Sequence, residues 1–200
     1  MPQSYKHIVC DDALHPAIVR AACAAWPADT DPIWFRYASG KYGSRDRQLP
    51  AAAWQCVLDI ARHPAIQAEW PDVFPDLSLH AAGLHMSPRG TSLGLHRDAD
   101  HHNVTGWRRR LSAVLFLNTA WSADAGGVLQ LHTDQDATRT IAIQPQFNRL
   151  VVFECTDTSW HSVSEVTHDE PRKTISLFFY DTTPAPRTRP QAEFQGQSHV

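Results

Sequence analysis

The segment 173–180, Lys173-Thr174-Ile175-Ser176-Leu177-Phe178-Phe179-Tyr180, is the last of eight short runs rich in apolar, aromatic and β-branched residues. The eight runs are separated by Gly, Pro, Asn and Asp, and they lie at 77–86, 92–96, 111–118, 127–132, 139–143, 149–154, 160–166 and 173–180. The connections between them are too short for repeated βαβ crossovers, which disfavours a parallel α/β sheet. Eight short strands with such turns predict a barrel or a double-sheet jelly roll.

The residues before these runs show a helical pattern. We expect a helix over about 14–26, capped by Asp12 and closed by Pro27, and a second helix over 51–62 followed by a short one that ends near Trp70. Between them, 34–48 mixes aromatic and basic residues and predicts a loop or irregular hairpin. The fold class is therefore mainly β with N-terminal helices (α+β), a cupin-like jelly-roll core flanked by supporting helices.

The whole chain is expected to form one domain. Residues 1–76 supply helical support and a lid loop, 77–181 form the jelly-roll core, and the proline-containing tail 182–200 is expected to be a frayed extension. The length of 200 residues and the 42% hydrophobic content suit a single folded domain.

Composition also limits the partners. A formal net charge of −3 gives no support to a dedicated nucleic-acid binder. No apolar run has the length of a signal peptide or a membrane span, and the four cysteines lack metal-binding spacing. We expect a cytoplasmic protein without a nucleic-acid or membrane partner, and its oligomeric state is left open.

The segment 95–102, Leu-His-Arg-Asp-Ala-Asp-His-His, is the richest in potential metal ligands. In an extended strand, residues i and i+2 face the same side, so His96 and Asp98 converge. His161, at the start of a late strand, offers a third ligand. Two histidines and one carboxylate make up the facial triad of non-haem Fe(II) oxygenases.

A cation suited to a carboxylate follows the last histidine. Arg172 precedes the final strand, and Thr174 and Ser176 share its strand face. The planar guanidinium binds a carboxylate through two charge-assisted hydrogen bonds, so we expect Arg172 to hold an anionic ligand.

The order of these motifs resembles the 2-oxoglutarate- and Fe(II)-dependent oxygenases, in particular their prolyl-4-hydroxylase-like branch. The motifs are, in order, His96-Arg97-Asp98, Leu117-Asn118, Gly126-Gly127, Pro145-Gln146-Phe147-Asn148-Arg149-Leu150, His161 and Arg172. The resemblance implies that His96, Asp98 and His161 are iron ligands and that Arg172 anchors the distal carboxylate of 2-oxoglutarate.

The chain departs from this branch at two positions. Phe116 stands where many prolyl hydroxylases have a tyrosine that helps to hold the distal carboxylate, and Ser112 or Ser176 is expected to supply a hydroxyl instead. Met86 stands where a tyrosine is common, which puts peptidyl-proline as the substrate in doubt. The residues expected to contact substrate are His85, Met86, His101, His102, Trp107 and Trp160. For His101 and His102 a surface loop is the competing interpretation.

The resemblance implies a hydroxylase that uses Fe(II), 2-oxoglutarate and O2, with ascorbate as an optional reductant. Its substrate would be a prolyl or other protein residue, or a small amino-acid-like molecule, and its co-products succinate and CO2. Two alternatives remain: a cupin-type metalloenzyme that does not use 2-oxoglutarate, and a non-catalytic jelly-roll binding module.

The basic triplet 108–110 is either a solvated turn or a recognition site for an anionic substrate.

Overall fold

The computed structural model describes residues 5–45 and 48–195. Within these ranges, the helices are α1 (Pro16–Ala24), α2 (Ala51–Ala61) and α3 (Pro64–Glu69). None of the described helices is long and apolar enough to cross a membrane.

The strands account for most of the regular structure. They are β1 (His7–Cys10), β2 (Trp34–Arg36), β3 (Tyr42–Ser44), β4 (Phe74–Pro75), β5 (Gly83–Ser87), β6 (Leu93–Arg97), β7 (Trp107–Phe116), β8 (Leu129–His132), β9 (Thr140–Ile143), β10 (Leu150–Glu154), β11 (His161–Val163), β12 (Arg172–Pro184) and β13 (Glu193–Phe194).

These strands form two antiparallel sheets. The larger sheet has the order β1-β10-β7-β12-β5-β3-β2, with β4 beside β12, and the smaller sheet has the order β13-β6-β11-β8-β9. The eight runs predicted from the sequence correspond to β5 through β12, of which four lie in each sheet. The predicted mainly β jelly roll with N-terminal helices is confirmed.

The core lies on both faces of the larger sheet. Along β12, Ile175 and Leu177 point to the outer face and pack with residues of the helices such as Val19 and Ile60. Between the sheets, Phe116 packs with Leu131 and other apolar residues of the smaller sheet. Because the side chains of a strand alternate, the residues between those of the outer core are free to face the smaller sheet and line a site.

The first helix differs from its prediction at the start. It begins at Pro16, and the side chain of His15 accepts a hydrogen bond from the backbone N–H of Ala17. Asp12 has a positive φ of 49° and lies in a turn before the helix, so it does not cap it. Proline at the first helical position and the acceptor on His15 explain why the helix begins later than expected.

The two segments expected to be irregular are more regular than predicted. Residues 34–44 form the β2–β3 hairpin, which extends the larger sheet beyond β5. Strand β7 begins at Trp107, because the long strand β12 continues to Pro184 and pairs with it there. The basic triplet 108–110 therefore lies on a strand and not in a solvated turn.

The prediction of a frayed tail is wrong for residues 182–195. Arg189 is buried, and its guanidinium bonds to a carboxylate oxygen of Asp157 at 2.6 Å. A carboxylate oxygen of Asp100 accepts hydrogen bonds from the backbone N–H groups of Thr188 and Arg189. Strand β13 then pairs with β6. These partners lie far away in the sequence, so composition alone predicted disorder; residues 196–200 lie outside the described residues.

Candidate metal centre

Three potential metal ligands converge between the two sheets. His96, at the end of β6, pairs across the ladder with His161 of β11, and Asp98 follows β6 directly. The Nε2 atoms of His96 and His161 lie 4.0 Å and 3.8 Å from Oδ1 of Asp98. One ligand atom from each of the three residues lies within 4.8 Å of the others, and no second such group occurs among the described residues.

Both imidazoles are oriented by backbone carbonyl groups. The Nδ1 atom of His96 lies 2.8 Å from the carbonyl oxygen of Gly94, and that of His161 lies 3.0 Å from the carbonyl oxygen of Ser159. A carbonyl oxygen can only accept, so each Nδ1 carries the proton and donates it. The lone pair of each Nε2 therefore points toward Asp98, as a metal site requires.

The carboxylate is oriented in the same way. Ser112 of β7 donates a hydrogen bond of 2.5 Å to Oδ2 of Asp98, which leaves Oδ1 toward the two imidazoles. Burial by itself raises the pKa of Asp98, but its electrostatic interactions with His161 and Arg109 outweigh it and hold this pKa below its usual value. Burial and the proximity of His161 lower the pKa of His96 to about 3. Near neutral pH, His96 is therefore neutral and Asp98 ionised, and this donor set of two imidazoles and one carboxylate fits Fe(II).

Arg172 lies on another wall of the same inner cavity, which has a volume of about 100 Å³. Its side chain is buried, its guanidinium carbon lies 4.9 Å from the centroid of the Phe116 ring, and its Nε has no hydrogen-bond partner. Thr174 and Ser176 follow on the same face of β12 and line the cavity with it. Burial lowers the pKa of Arg172 to about 10. The cavity thus holds a buried cation opposite the three metal-ligand candidates.

The two serines proposed as partners of Arg172 are engaged elsewhere. Ser112 bonds to Asp98, and Ser176 lies 3.1 Å from Nδ1 of His85. His85, a predicted substrate contact, also lines this cavity, and its Nε2 has no hydrogen-bond partner among the described residues. Burial and the charges of Lys41 and Arg172 lower the pKa of His85 well below its usual value.

Lys41, one of the basic residues of the segment 34–48, also lines this cavity. It precedes β3 and lines both the inner cavity and a larger outer one. Its Nζ lies 5.0 Å from the centroid of the Tyr37 ring. The hairpin has no motif that marks Lys41, and only the pairing of β3 with β5 brings it to the site.

The outer cavity has a volume of about 500 Å³ and shares His96, Asp98 and His85 with the inner one. Its other walls come from distant parts of the chain: Tyr37 on the hairpin, Arg109 on β7, His101 after β6, and Phe194 on β13. Arg109 is buried, and its guanidinium carbon lies 3.8 Å from the centroid of the Phe178 ring. The ring of Phe194 stacks on His96 with a centroid separation of 4.9 Å.

Four residues predicted to contact substrate lie outside these cavities. Met86 is adjacent to His85 on β5, so it points to the opposite face and packs in the helix-side core. His102 is not on the surface: it is buried, with its Nε2 3.4 Å from Asp76. Trp107 packs against Phe74, and Trp160 lies beneath the guanidinium of Arg97.

Comparison with known sequences agrees with the site. The profile described as "2OG-Fe(II) oxygenase superfamily" matches residues 82–180, a range that contains His96, Asp98, His161 and Arg172. The prolyl 3-hydroxylase OGFOD1 of Mus musculus is 37% identical over 92 residues, which are 44% of this chain and 16% of that protein. The chain thus spans only a small part of the length of this curated relative.

Comparison with solved structures agrees with the fold. A prolyl-4-hydroxylase from Pseudomonas putida superposes with a TM-score of 0.64 at 20% identity, covering 88% of this chain and 93% of that one. The non-heme α-ketoglutarate-dependent epimerase SnoN, from nogalamycin biosynthesis, superposes with a TM-score of 0.62 at 15% identity, covering 98% and 88%. At such identities the likeness describes the fold, which these two proteins use for different reactions.

Proposed function

Because the chain belongs to the 2-oxoglutarate- and Fe(II)-dependent oxygenase superfamily, we propose that it is a dioxygenase that hydroxylates a carbon atom of its substrate. One oxygen atom of O2 would enter a C–H bond as a hydroxyl group, and the other would enter succinate as 2-oxoglutarate loses CO2. Fe(II), when bound, supplies the activation of O2 that this reaction needs. The observation that carries the proposal is the convergence of His96, Asp98 and His161 opposite the buried Arg172.

In this proposal, the metal is held by Nε2 of His96, Nε2 of His161 and Oδ1 of Asp98. The backbone carbonyls behind the two imidazoles and the hydroxyl of Ser112 fix these three atoms before metal arrives, which lowers the cost of binding it. Arg172 binds the distal carboxylate of 2-oxoglutarate.

The substrate that we propose is a prolyl or other residue of a protein, or a small amino-acid-like molecule. The outer cavity of about 500 Å³ opens directly onto the proposed metal ligands and is large enough for such a group. The prolyl hydroxylases among the relatives support an amino-acid-like substrate, and Tyr37, His101 and Phe194 would contact it.

Anaerobic titration of the protein with Fe(II) and 2-oxoglutarate tests the proposal. We expect a weak visible charge-transfer band that needs both ligands, and slow formation of succinate when air is admitted. His161→Ala should abolish metal retention and the band. Arg172→Ala should retain the metal but require much more 2-oxoglutarate for the same band.

Absence of the band and of succinate in the unaltered protein would contradict the proposal. Metal binding without any effect of 2-oxoglutarate would favour a cupin-type metalloenzyme instead. Unchanged affinity for 2-oxoglutarate in Arg172→Ala would contradict the role given to Arg172.

A further inference from the structure

Lys41 and Arg172 lie in one row across three strands of the larger sheet. Arg172 of β12 is directly opposite Ser87 of β5. Tyr42 of β3 is opposite Met86, so Lys41, one residue earlier, lies on the other side of Ser87. Neighbouring strands are about 4.8 Å apart, so the two backbones are separated by about 10 Å, with the small side chain of Ser87 between them. Both long side chains line the inner cavity from the two sides of Ser87.

Neither cation is paired with a carboxylate of the described residues, although Asp98 lines the same cavity. Among the described residues, the side chains of Lys41 and Arg172 make no ion pair and no hydrogen bond; each lies only near an aromatic ring, that of Tyr37 or Phe116. Arg172 is buried and Lys41 half-buried, and Asp98, a proposed metal ligand, is the one acidic side chain among the described residues that line the cavity. An anionic ligand between the two cations would therefore reduce the cost of enclosing them. A carboxylate has two oxygen atoms and can accept from both side chains.

The hydroxyl groups expected to assist Arg172 make other contacts, although Ser176 is free to donate when His85 Nδ1 is the donor in their hydrogen bond. Phe116 has no hydroxyl, Ser112 donates to Asp98, and Ser176 bonds to His85. Lys41 is the second lysine or arginine among the residues that line the inner cavity, beside neutral donors such as the hydroxyl of Thr174.

We propose that Lys41 is a second cationic binding residue for the distal carboxylate of 2-oxoglutarate, which it holds together with Arg172. This assignment rests on the proposed function. It gives the N-terminal hairpin a direct part in binding the co-substrate, in place of the tyrosine hydroxyl common in related enzymes.

The test compares two ligands on the Mn(II)-loaded protein by isothermal titration calorimetry. 2-Oxoglutarate has a distal carboxylate, whereas oxalate has only the two groups that chelate a metal. Lys41→Met should weaken binding of 2-oxoglutarate by about 10- to 100-fold, the effect of losing a charge-assisted hydrogen bond, and leave oxalate unchanged. Lys41→Arg keeps the charge and should stay within about 3-fold of the unaltered protein. Arg36→Met is the matched control, because Arg36 is exposed on the same hairpin and lines neither cavity.

Measurement of both affinities over a series of pH values gives a second test, because a general loss of structure would not produce the expected pH dependence. Burial and the charge of Arg172 lower the pKa of Lys41 to about 8, while Asp98 raises it slightly. The other groups that face it are Tyr37 and His85. Since the carboxylate binds the protonated amine, affinity for 2-oxoglutarate should fall by up to about tenfold per pH unit above pH 8, and affinity for oxalate should not. In Lys41→Arg this fall should disappear.

Three results would overturn the assignment. Unchanged binding of 2-oxoglutarate by Lys41→Met would show that Lys41 does not contact it, and would leave a carboxylate of the main substrate as its partner. An equal loss for 2-oxoglutarate and oxalate would show a general disturbance of the site. Failure of the unaltered Mn(II) protein to bind 2-oxoglutarate would overturn the proposed function together with this assignment, and so is distinct from the first two.

Discussion

At the scale of single residues, the proposed metal site depends on which oxygen of Asp98 is available. Ser112 occupies Oδ2 with a hydrogen bond of 2.5 Å, and the carbonyl groups of Gly94 and Ser159 fix the two imidazoles. These partners act before any metal arrives, so their effect should be measurable as metal affinity.

Removal of the Ser112 hydroxyl should weaken metal binding. In Ser112→Ala, Asp98 loses the bond that fixes its orientation, and we expect the affinity for Fe(II) or Mn(II) to fall by about 10- to 100-fold. Equilibrium dialysis with metal measurement would determine this. Ser122→Ala, at an exposed serine without a side-chain cap bond, is the control and should bind metal normally. Equal affinities in the two variants would contradict the role given to Ser112.

The sequence was informative about residues that carry a motif and less so about their neighbours. His96, Asp98, His161 and Arg172 were all predicted to share a site, and the structure brings them to one cavity. His85 and Met86 were both expected to contact substrate, but adjacent residues of a strand face opposite sides, so only one of them can do so. Lys41 is among the basic residues noted in 34–48, but its place beside Arg172 could not be predicted, because it depends on the pairing of short strands.

At the scale of elements, the turn before β8 limits the space around Arg172. Gly127 has a positive φ of 64°, and a Cβ atom there would lie 2.7 Å from Cδ of Arg172. Gly90 also has a positive φ, of 80°, but a Cβ atom there would meet nothing within 4 Å. A comparison of the same substitution at the two glycines therefore distinguishes the effect of backbone strain from the effect of displacing the Arg172 side chain.

Gly127→Ala should weaken binding of 2-oxoglutarate and spare the metal. The added methyl group displaces the side chain of Arg172, and we expect a loss of about 10-fold in affinity for 2-oxoglutarate on the metal-loaded protein. Gly90→Ala carries a similar backbone cost of about 1 kcal/mol and should bind 2-oxoglutarate normally. The same titration calorimetry measures both. A similar loss in the two variants would mean that strain, and not contact with Arg172, is the cause.

The segment after β12 is held by a small number of polar anchors. Arg189 bonds to Asp157 and to the carbonyl oxygen of Asp98, while Asp100 receives two backbone N–H groups. Composition gave no sign of these anchors, because each depends on a partner brought near by the jelly roll. The exposed Arg187 lies in the same segment, so the rate of trypsin cleavage after Arg187 measures how readily the segment is released.

Loss of the Arg189 anchor should release this segment. In Arg189→Met the bonds to Asp157 and Asp98 are lost, and we expect trypsin to cleave after Arg187 about 10-fold faster, because local opening becomes more frequent. Mass spectrometry of the timed digest would identify this cleavage. Arg139→Met, at an exposed arginine outside this segment, should leave the rate unchanged. An unchanged rate in Arg189→Met would show that β13 alone holds the segment.

At the scale of the whole molecule, the abundance of histidine affects stability. Burial is the largest cause of a lowered pKa at five histidines: His63, His85, His96, His102 and His132. In the unfolded chain these imidazoles take up protons near pH 6.5, whereas in the folded protein they do so only at lower pH. A folded-state pKa below the unfolded one means that stability is lost as the pH falls below 6.5.

The metal-free protein should therefore become less stable between pH 7 and pH 5. Each imidazole that stays neutral in the folded state lowers the free energy of unfolding by about 1.4 kcal/mol per pH unit below 6.5. Urea unfolding at pH 7, 6 and 5 in the presence of a chelator measures the slope. His85→Gln should reduce the slope, whereas His15→Asn, which keeps a capping acceptor at an exposed position, should not. Stability that is constant or rises toward pH 5 would contradict the prediction.

The outer cavity is lined partly by residues inside the family-matched range of 82–180 and partly by residues outside it. Tyr37 and Lys41 come from the N-terminal hairpin, and Phe194 comes from the C-terminal strand, so these walls lie outside the matched range of 82–180. Substitutions in these two segments can therefore change the walls that would face the substrate and leave the strands that carry the proposed metal ligands unchanged. A chimera that joins this core to the terminal segment of a related oxygenase, and keeps the hairpin with Lys41, should change the substrate preference and retain the binding of metal and 2-oxoglutarate.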